Sequence, residues 1–208
     1  MSEQATRRPY DSPRRRDQAR ATRTDIAAAA RRLFMAQGWA GTRVRDVARE
    51  AGVAEPTVYA VYGSKAGLAL ALVDSVDLAA DVDGEDAELD AAAGDPAGQL
   101  AAMIGFDRRL FERGGDVLGL LHDAGRSEPD LAAAYRQGRA RGDRTRQEVF
   151  SRWPPQALRE GLDRRLAVDT YAALCNVDVY RVLTEERGWS PDQIERWWRD
   201  SLIRLLLA

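Results

Sequence analysis

The sequence predicts an all-α protein: a small N-terminal three-helix unit followed by a larger helical body. Three observations lead there. Ala, Leu and Arg dominate the composition, which favours helix. No run of alternating β-branched residues exceeds a few positions, so strands are not expected. Apolar residues recur at helical spacing, with Pro and Gly where such helices would begin and end. With 208 residues, 45% of them hydrophobic, the chain can bury a sizeable core and hold one or two small domains.

The formal net charge is only −2, but it is unevenly spread. Residues 1–70 hold 13 Lys/Arg against 7 Asp/Glu, a surplus of 6, which leaves −8 on the remainder. A basic third on an acidic body suits a nucleic-acid contact at one end; a chance imbalance is the plainer alternative. Cys175 is the only cysteine, so no intrachain disulfide is expected, which fits a reducing cytosol. No apolar stretch precedes the N-terminal charges, so no secretory signal is expected. No uncharged apolar run is long enough to span a membrane.

Residues 1–16 (MSEQATRRPYDSPRRR) carry Arg7, Arg8, Arg14, Arg15 and Arg16 with two prolines and no apolar periodicity. This predicts a disordered Arg-rich arm, either following phosphates or acting only as a solubilising tail. A first helix is expected from near Arg20 to Gln37, with Ile26, Ala30, Leu33 and Phe34 as its buried stripe and Gly38 as its stop.

The stretch from Thr42 to Lys65, TRVRDVAREAGVAEPTVYAVYGSK, carries the most information. Val44, Val47, Ala48 and Ala51 fall at i, i+3, i+4 and i+7, one face of a short helix, with Thr42 as its expected N-cap. Gly52 supplies a tight turn, and Pro56 stands where a second helix begins. Val58 and Val61 then point back to the first of the pair, and Thr57, Tyr59 and Ala60 point away. Two short helices around a Gly turn form a helix-turn-helix, whose second helix enters a DNA major groove. A tight helical corner serving packing alone would use the same residues.

The flanks extend this pattern. From Gly38 the chain reads GWAGTRVRDVAREAGVAEPTVYAVYGSKAGL, which resembles the DNA-binding domain of the TetR family of bacterial repressors. Gly38 and Trp39 match the end of the family's first helix, and Thr42, Val44, Arg45, Val47 and Ala48 its second. Gly52, Val53, Thr57, Val58, Tyr59, Tyr62, Ser64, Lys65 and Leu68 match the turn, the recognition helix and the start of the fourth helix. Three places depart: Ala54 replaces a frequent capping Ser, Arg43 a small hydroxyl, and Ala66-Gly67 an acidic helix start.

On this reading residues 17–65 form the DNA-binding domain. Thr42, Tyr59, Tyr62 and Lys65 contact phosphates, while Pro56, Thr57 and Ala60 face base edges. That face is poor in bidentate side chains, so Arg43 and Arg45 are expected to add polar readout from the second helix. Lys65 lies in a helix first turn, where a cation is unfavourable; a bound phosphate would offset this.

The remaining residues, 66–208, are expected to form a helical body that dimerises and binds a small molecule. Ser64 caps a helix reaching about Asp81, and the acidic residues 83–98 are expected to form a loop with at most a short helical turn. Helices follow from Pro96 to Arg113, broken by Gly114-Gly115, then a short one carrying Val117, Leu118, Leu120 and Leu121 and ending near Gly125, and one from Glu128 to Phe150. Two long helices end the chain, Asp163–Glu186 and, capped by Ser190-Pro191, one reaching Leu207. The apolar residues of the last helix, Ile194, Trp197, Trp198, Leu202, Leu205 and Leu206, need more cover than a small body supplies. A homodimer through the last two helices would provide it, as the family resemblance also implies; an intramolecular core is the alternative.

The resemblance further implies an effector pocket among the middle helices. Candidate lining residues are Met103, Phe106, Phe111, His122, Tyr135, Trp153, Tyr171 and Cys175, a set that suggests a largely apolar ligand. The expected partners are thus a pseudo-palindromic double-stranded operator, a second copy of the chain and an unidentified effector. His122 and Cys175 are the sole His and Cys and lie on separate predicted helices, so an enzyme built on them is the weaker alternative. No ligand cluster for zinc and no phosphate-binding glycine pattern occurs, so neither metal nor cofactor is expected.

Overall fold

The computed structural model describes residues 13–80 and 82–208. Among these every regular element is helical: α1 (Pro13–Gly41), α2 (Val44–Glu50), α3 (Glu55–Tyr62), α4 (Lys65–Ala80), α5 (Val82–Ala91), α6 (Pro96–Ala124), α7 (Pro129–Ser151), α8 (Arg164–Leu174), α9 (Val177–Arg181) and α10 (Pro191–Leu206). A 3₁₀ turn at Pro155–Ala157 follows α7, and a π-turn over Val182–Glu186 follows α9. The chain falls into two compact units, one ending at Leu68 and the other Ala69–Ala208. Most of the expected arm lies outside the described residues. Its last part does not, because α1 begins at Pro13 rather than near Arg20. Proline is at home in a first turn, and the Arg, Gln and Ala that follow are strong helix formers.

In the N-terminal unit, Ile26, Ala30 and Phe34 of α1 are buried together with Val44, Val47 and Ala48 of α2 and Val58 of α3. α1 is interrupted at Gly38, whose φ of 69° and ψ of 177° are not helical. α2 ends in a Schellman motif: Val53 N–H donates to the Ala48 carbonyl at 3.0 Å and Gly52 N–H to the Arg49 carbonyl at 3.2 Å. Gly52 sits at φ 68°, a conformation other residues adopt only with strain. An ion pair between Arg32 and Glu50 at 2.7 Å ties α1 to α2.

The C-terminal unit differs from the sequence expectation in three places. The stretch 83–98 is not mainly a loop, since α5 occupies Val82–Ala91 and buries Leu89 and Glu85. Gly114 and Gly115 do not break a helix, and α6 runs unbroken for 29 residues. Both glycines are buried, and a Cβ on Gly115 would meet Val177 Cγ2 at 3.7 Å, an ordinary contact distance. The helix expected from Asp163 to Glu186 is divided at Cys175, and Asn176 caps α9 by accepting from Val179 N–H at 3.0 Å. The last helix agrees closely, with Ser190 and Gln193 forming a reciprocal capping box.

Phe111, Tyr180 and Trp198 form the aromatic centre of this unit, with ring centroids 6.0–6.2 Å apart. Ile194, Trp198, Leu202 and Leu206 are wholly buried within one chain. These four residues therefore need no partner, which corrects the expectation that the whole apolar set of the last helix awaits a second copy. Their i, i+4 spacing is the inward stripe of α10.

Candidate functional site

The helix-turn-helix presents α3 on its outside. Pro56, Tyr59 and Ala60 are exposed, Thr57 is half-buried, and Val58 anchors the opposite side. Arg43 and Arg45 are exposed at the start of α2. α2 and α3 take Arg43 and Ala54 as N-caps, and neither helix receives a side-chain cap. These are two of the positions that depart from the family pattern.

Thr42 behaves otherwise than expected. It is buried, and its hydroxyl donates inward to the carbonyls of Gly38 at 2.9 Å and Leu33 at 3.1 Å. It thus closes the end of α1 instead of capping α2, whose N-cap is Arg43. Tyr62 donates to the Arg23 carbonyl at 2.8 Å, and partial burial raises its phenol above the ordinary range. Lys65 places its ammonium 4.1 Å from the centre of the Trp39 ring and donates to the Trp39 carbonyl. Trp39 in turn stacks on Phe34 at 5.5 Å. The unfavourable cation in the first turn of α4 is therefore offset from within, by a ring face and the end of α1. Ser64 caps α4, accepting from Gly67 N–H at 2.9 Å.

The second candidate site is a cavity of about 420 Å³ inside the C-terminal unit. Met103, Phe106, Phe111, Tyr135 and Cys175 of the eight expected residues line it. His122, Trp153 and Tyr171 do not. His122 lies against Tyr135, with ring centroids 5.0 Å apart, and faces Asp178 at 3.6 Å. Trp153 is buried and donates to Gln99 Oε1 at 2.6 Å. Tyr171 is wholly buried beneath Arg146, whose guanidinium stands 4.5 Å from its ring. Burial pushes the Cys175 thiol well up, with Asp107 adding to the shift. The group stays a neutral thiol, a poor nucleophile.

Composition alone suggested an apolar lining, yet the cavity wall also carries a buried ionic cluster. Asp107 is 4% exposed and pairs with Arg146 at 2.9 Å, and Arg146 also reaches Asp143 at 3.1 Å. Burial raises the Asp107 carboxyl, with Arg146 opposing. Glu85, 9% exposed, lines the same space. Burial, and then the Asp107 charge, push its carboxyl up to about 7. Sequence reasoning missed Glu85, Asp107 and Arg146. Each reads locally as one more charge on an amphipathic helix, and only the meeting of α5, α6 and α7 buries them.

Known proteins share the N-terminal motif and the fold. Residues 26–72 match the model for bacterial regulatory proteins of the tetR family. The HTH-type transcriptional regulator AlkX of Mycobacterium tuberculosis is 34% identical over 113 residues, 52% of this chain. That match spans 50% of the relative's own length. A protein of Saccharomonospora viridis described as a transcriptional regulator, solved in complex with choline, superposes with a TM-score of 0.72. It is 24% identical, over 89% of this chain and 97% of that one. NalD of Pseudomonas aeruginosa, the secondary repressor of the MexAB-OprM multidrug efflux pump, also reaches 0.72, at 23% identity over 92% and 98% of the two chains. Over residues 26–72, α1 to α4 thus carry the helix-turn-helix of the tetR family in register.

Proposed function

We propose that the protein is a homodimeric transcriptional repressor that leaves its operator when a small molecule fills the C-terminal cavity. The observation that carries this reading is the exposed face of α3, held by the Schellman turn at Gly52. Two such helices related by a dimer axis demand a pseudo-palindromic site. Tyr59, Arg43 and Arg45 are the exposed groups suited to phosphates and base edges, and Thr57 faces a base edge. Thr42 serves this interface only by holding the end of α1. Tyr62 and Lys65 act chiefly through α1 and Trp39.

The cavity supports the effector half of the reading over a ligand-independent regulator. The choline complex of the Saccharomonospora viridis protein and the repressor role of NalD point the same way. α8 and α10 pack together and leave Leu166 and Leu205 exposed, which supports a dimer through this face. Among the described residues no helix is long and apolar enough to cross a membrane. A cytoplasmic location follows from the proposed DNA partner.

Fluorescence anisotropy against a randomised duplex pool, at several salt concentrations, tests the reading. Arg45→Ala and Tyr59→Phe are each expected to weaken binding, the arginine variant with a salt slope reduced by about 1 and the tyrosine variant with the slope unchanged. Thr57→Val is expected to change sequence preference, by about 1–3 kcal/mol at the contacted pair. Unchanged affinity, slope and preference in all three variants would reduce the corner at Gly52 to a packing device.

A further inference from the structure

Four carboxyls (Glu85, Asp107, Asp143 and Glu148) and four guanidiniums (Arg139, Arg141, Arg144 and Arg146) line the cavity, but the deeply buried ones are Glu85, Asp107 and Arg146, two acids to one cation. Arg146 spends its pairing on Asp107 and Asp143. Glu85 is about nine-tenths buried, lines the cavity and makes no side-chain hydrogen bond or ion pair among the described residues. A carboxyl so enclosed, with no bonding partner in the protein, gains from a donor or cation brought beside it. The other lining arginines, Arg139, Arg141 and Arg144, are exposed, where solvent screens them.

The rest of the wall is apolar and aromatic. Phe106, Leu110, Phe111 and Leu118 would accept a hydrocarbon body, and ring faces also attract a cation. The volume, about 420 Å³, falls in the range of small-molecule sites. An anionic ligand would meet unneutralised carboxylates, and a purely apolar one would leave Glu85 buried without a partner.

We propose that the cavity binds a monocationic amphiphile, an alkyl- or arylammonium whose positive head sits at Glu85 and Asp107 and whose body lies against Phe106, Leu110 and Leu118. This rests on the reading of the cavity as the effector site. The charged groups facing Glu85 are Asp86 on its own helix, Asp107 and Arg109 on α6, and Arg146 on α7. A cation binds the ionised form of Glu85, so binding releases its proton wherever the free carboxyl holds one. Affinity for a permanent cation therefore rises with pH until Glu85 is ionised without help.

The test is calorimetric titration of the full chain with decyltrimethylammonium, decan-1-ol and decanoate, alongside operator release by each. The wild type should bind the ammonium about tenfold more tightly than the alcohol, and decanoate most weakly. Glu85→Gln, with its fold checked by thermal melting, should lose about tenfold in ammonium affinity and leave the alcohol within about twofold. From pH 6 to 8 ammonium affinity should rise up to about tenfold in the wild type and stay flat in Glu85→Gln. Leu110→Trp, which narrows the apolar part, should weaken all three probes. Equal or tighter binding of the alcohol or decanoate, or full ammonium affinity in Glu85→Gln, overturns the proposal. In that outcome the effector site still stands if the alcohol binds, weakens in Leu110→Trp and releases the operator. No binding by any probe overturns both.

Discussion

Thr42 shows how one hydroxyl can be assigned to the wrong neighbour. Its place before α2 reads as an N-cap, but the oxygen is turned inward to two carbonyls of α1. Thr42→Val should therefore cost about 1–2 kcal/mol of stability in urea unfolding, because buried acceptors lose a donor. A phosphate contact would behave differently, losing DNA affinity with stability intact. Glu85 carries the second residue-level prediction. Its carboxyl is held at about 7 in the folded protein against an ordinary 4.5. The native state thus binds more protons between those values, and this group's stabilising contribution, complete below 4.5, is lost as pH rises through 7. Glu85→Gln should raise stability by about 1–3 kcal/mol at pH 8 and change it little at pH 4.5, measured by thermal melts across that range.

Helix boundaries in this chain depend on what glycine is used for. At Gly52 the backbone needs φ 68°, and a Cβ there meets nothing within 4 Å, so conformation alone demands the residue. At Gly115 the backbone is helical, and a Cβ would touch Val177 only at ordinary contact distance. The same substitution should then have opposite signs at the two sites. Gly52→Ala should destabilise the N-terminal unit by about 1–2 kcal/mol through left-handed strain. Gly115→Ala should stabilise α6 by up to about 1 kcal/mol through helix propensity. Chemical denaturation of both variants decides the matter, and a loss at Gly115 would mean that α9 already packs as closely as it can.

For the molecule as a whole, the division of apolar residues between core and surface decides assembly. Trp198 and Leu202 have no exposed surface left to give a partner. Acidic substitutions there would unfold the protein and say nothing about dimers. Leu166 is 49% exposed and Leu205 43%. Leu166→Glu with Leu205→Glu should halve the mass seen by light scattering while helical content and thermal midpoint are nearly kept. A wild type already monomeric at micromolar concentration would remove the proposed dimer and, with it, the need for a palindromic operator.

The sequence by itself determined the helical class, the helix-turn-helix with its Gly52 turn, the Ser64 cap, and the Ser190-Pro191 start of α10. All of these are local: a periodicity of 3.6, a cap three residues from its donor, or a left-handed turn can be read within a dozen positions. Five of the eight expected cavity residues were also legible, because aromatic and sulfur-bearing side chains on middle helices must end up inside. Tertiary structure alone decided the rest. Whether Gly114-Gly115 breaks or packs depends on α9, more than sixty positions away. Whether Trp198 faces a partner or Phe111 depends on how α6 meets α10. Glu85, Asp107 and Arg146 come from three different helices, and their charge state follows from mutual distance and exclusion of water, neither of which any one segment encodes.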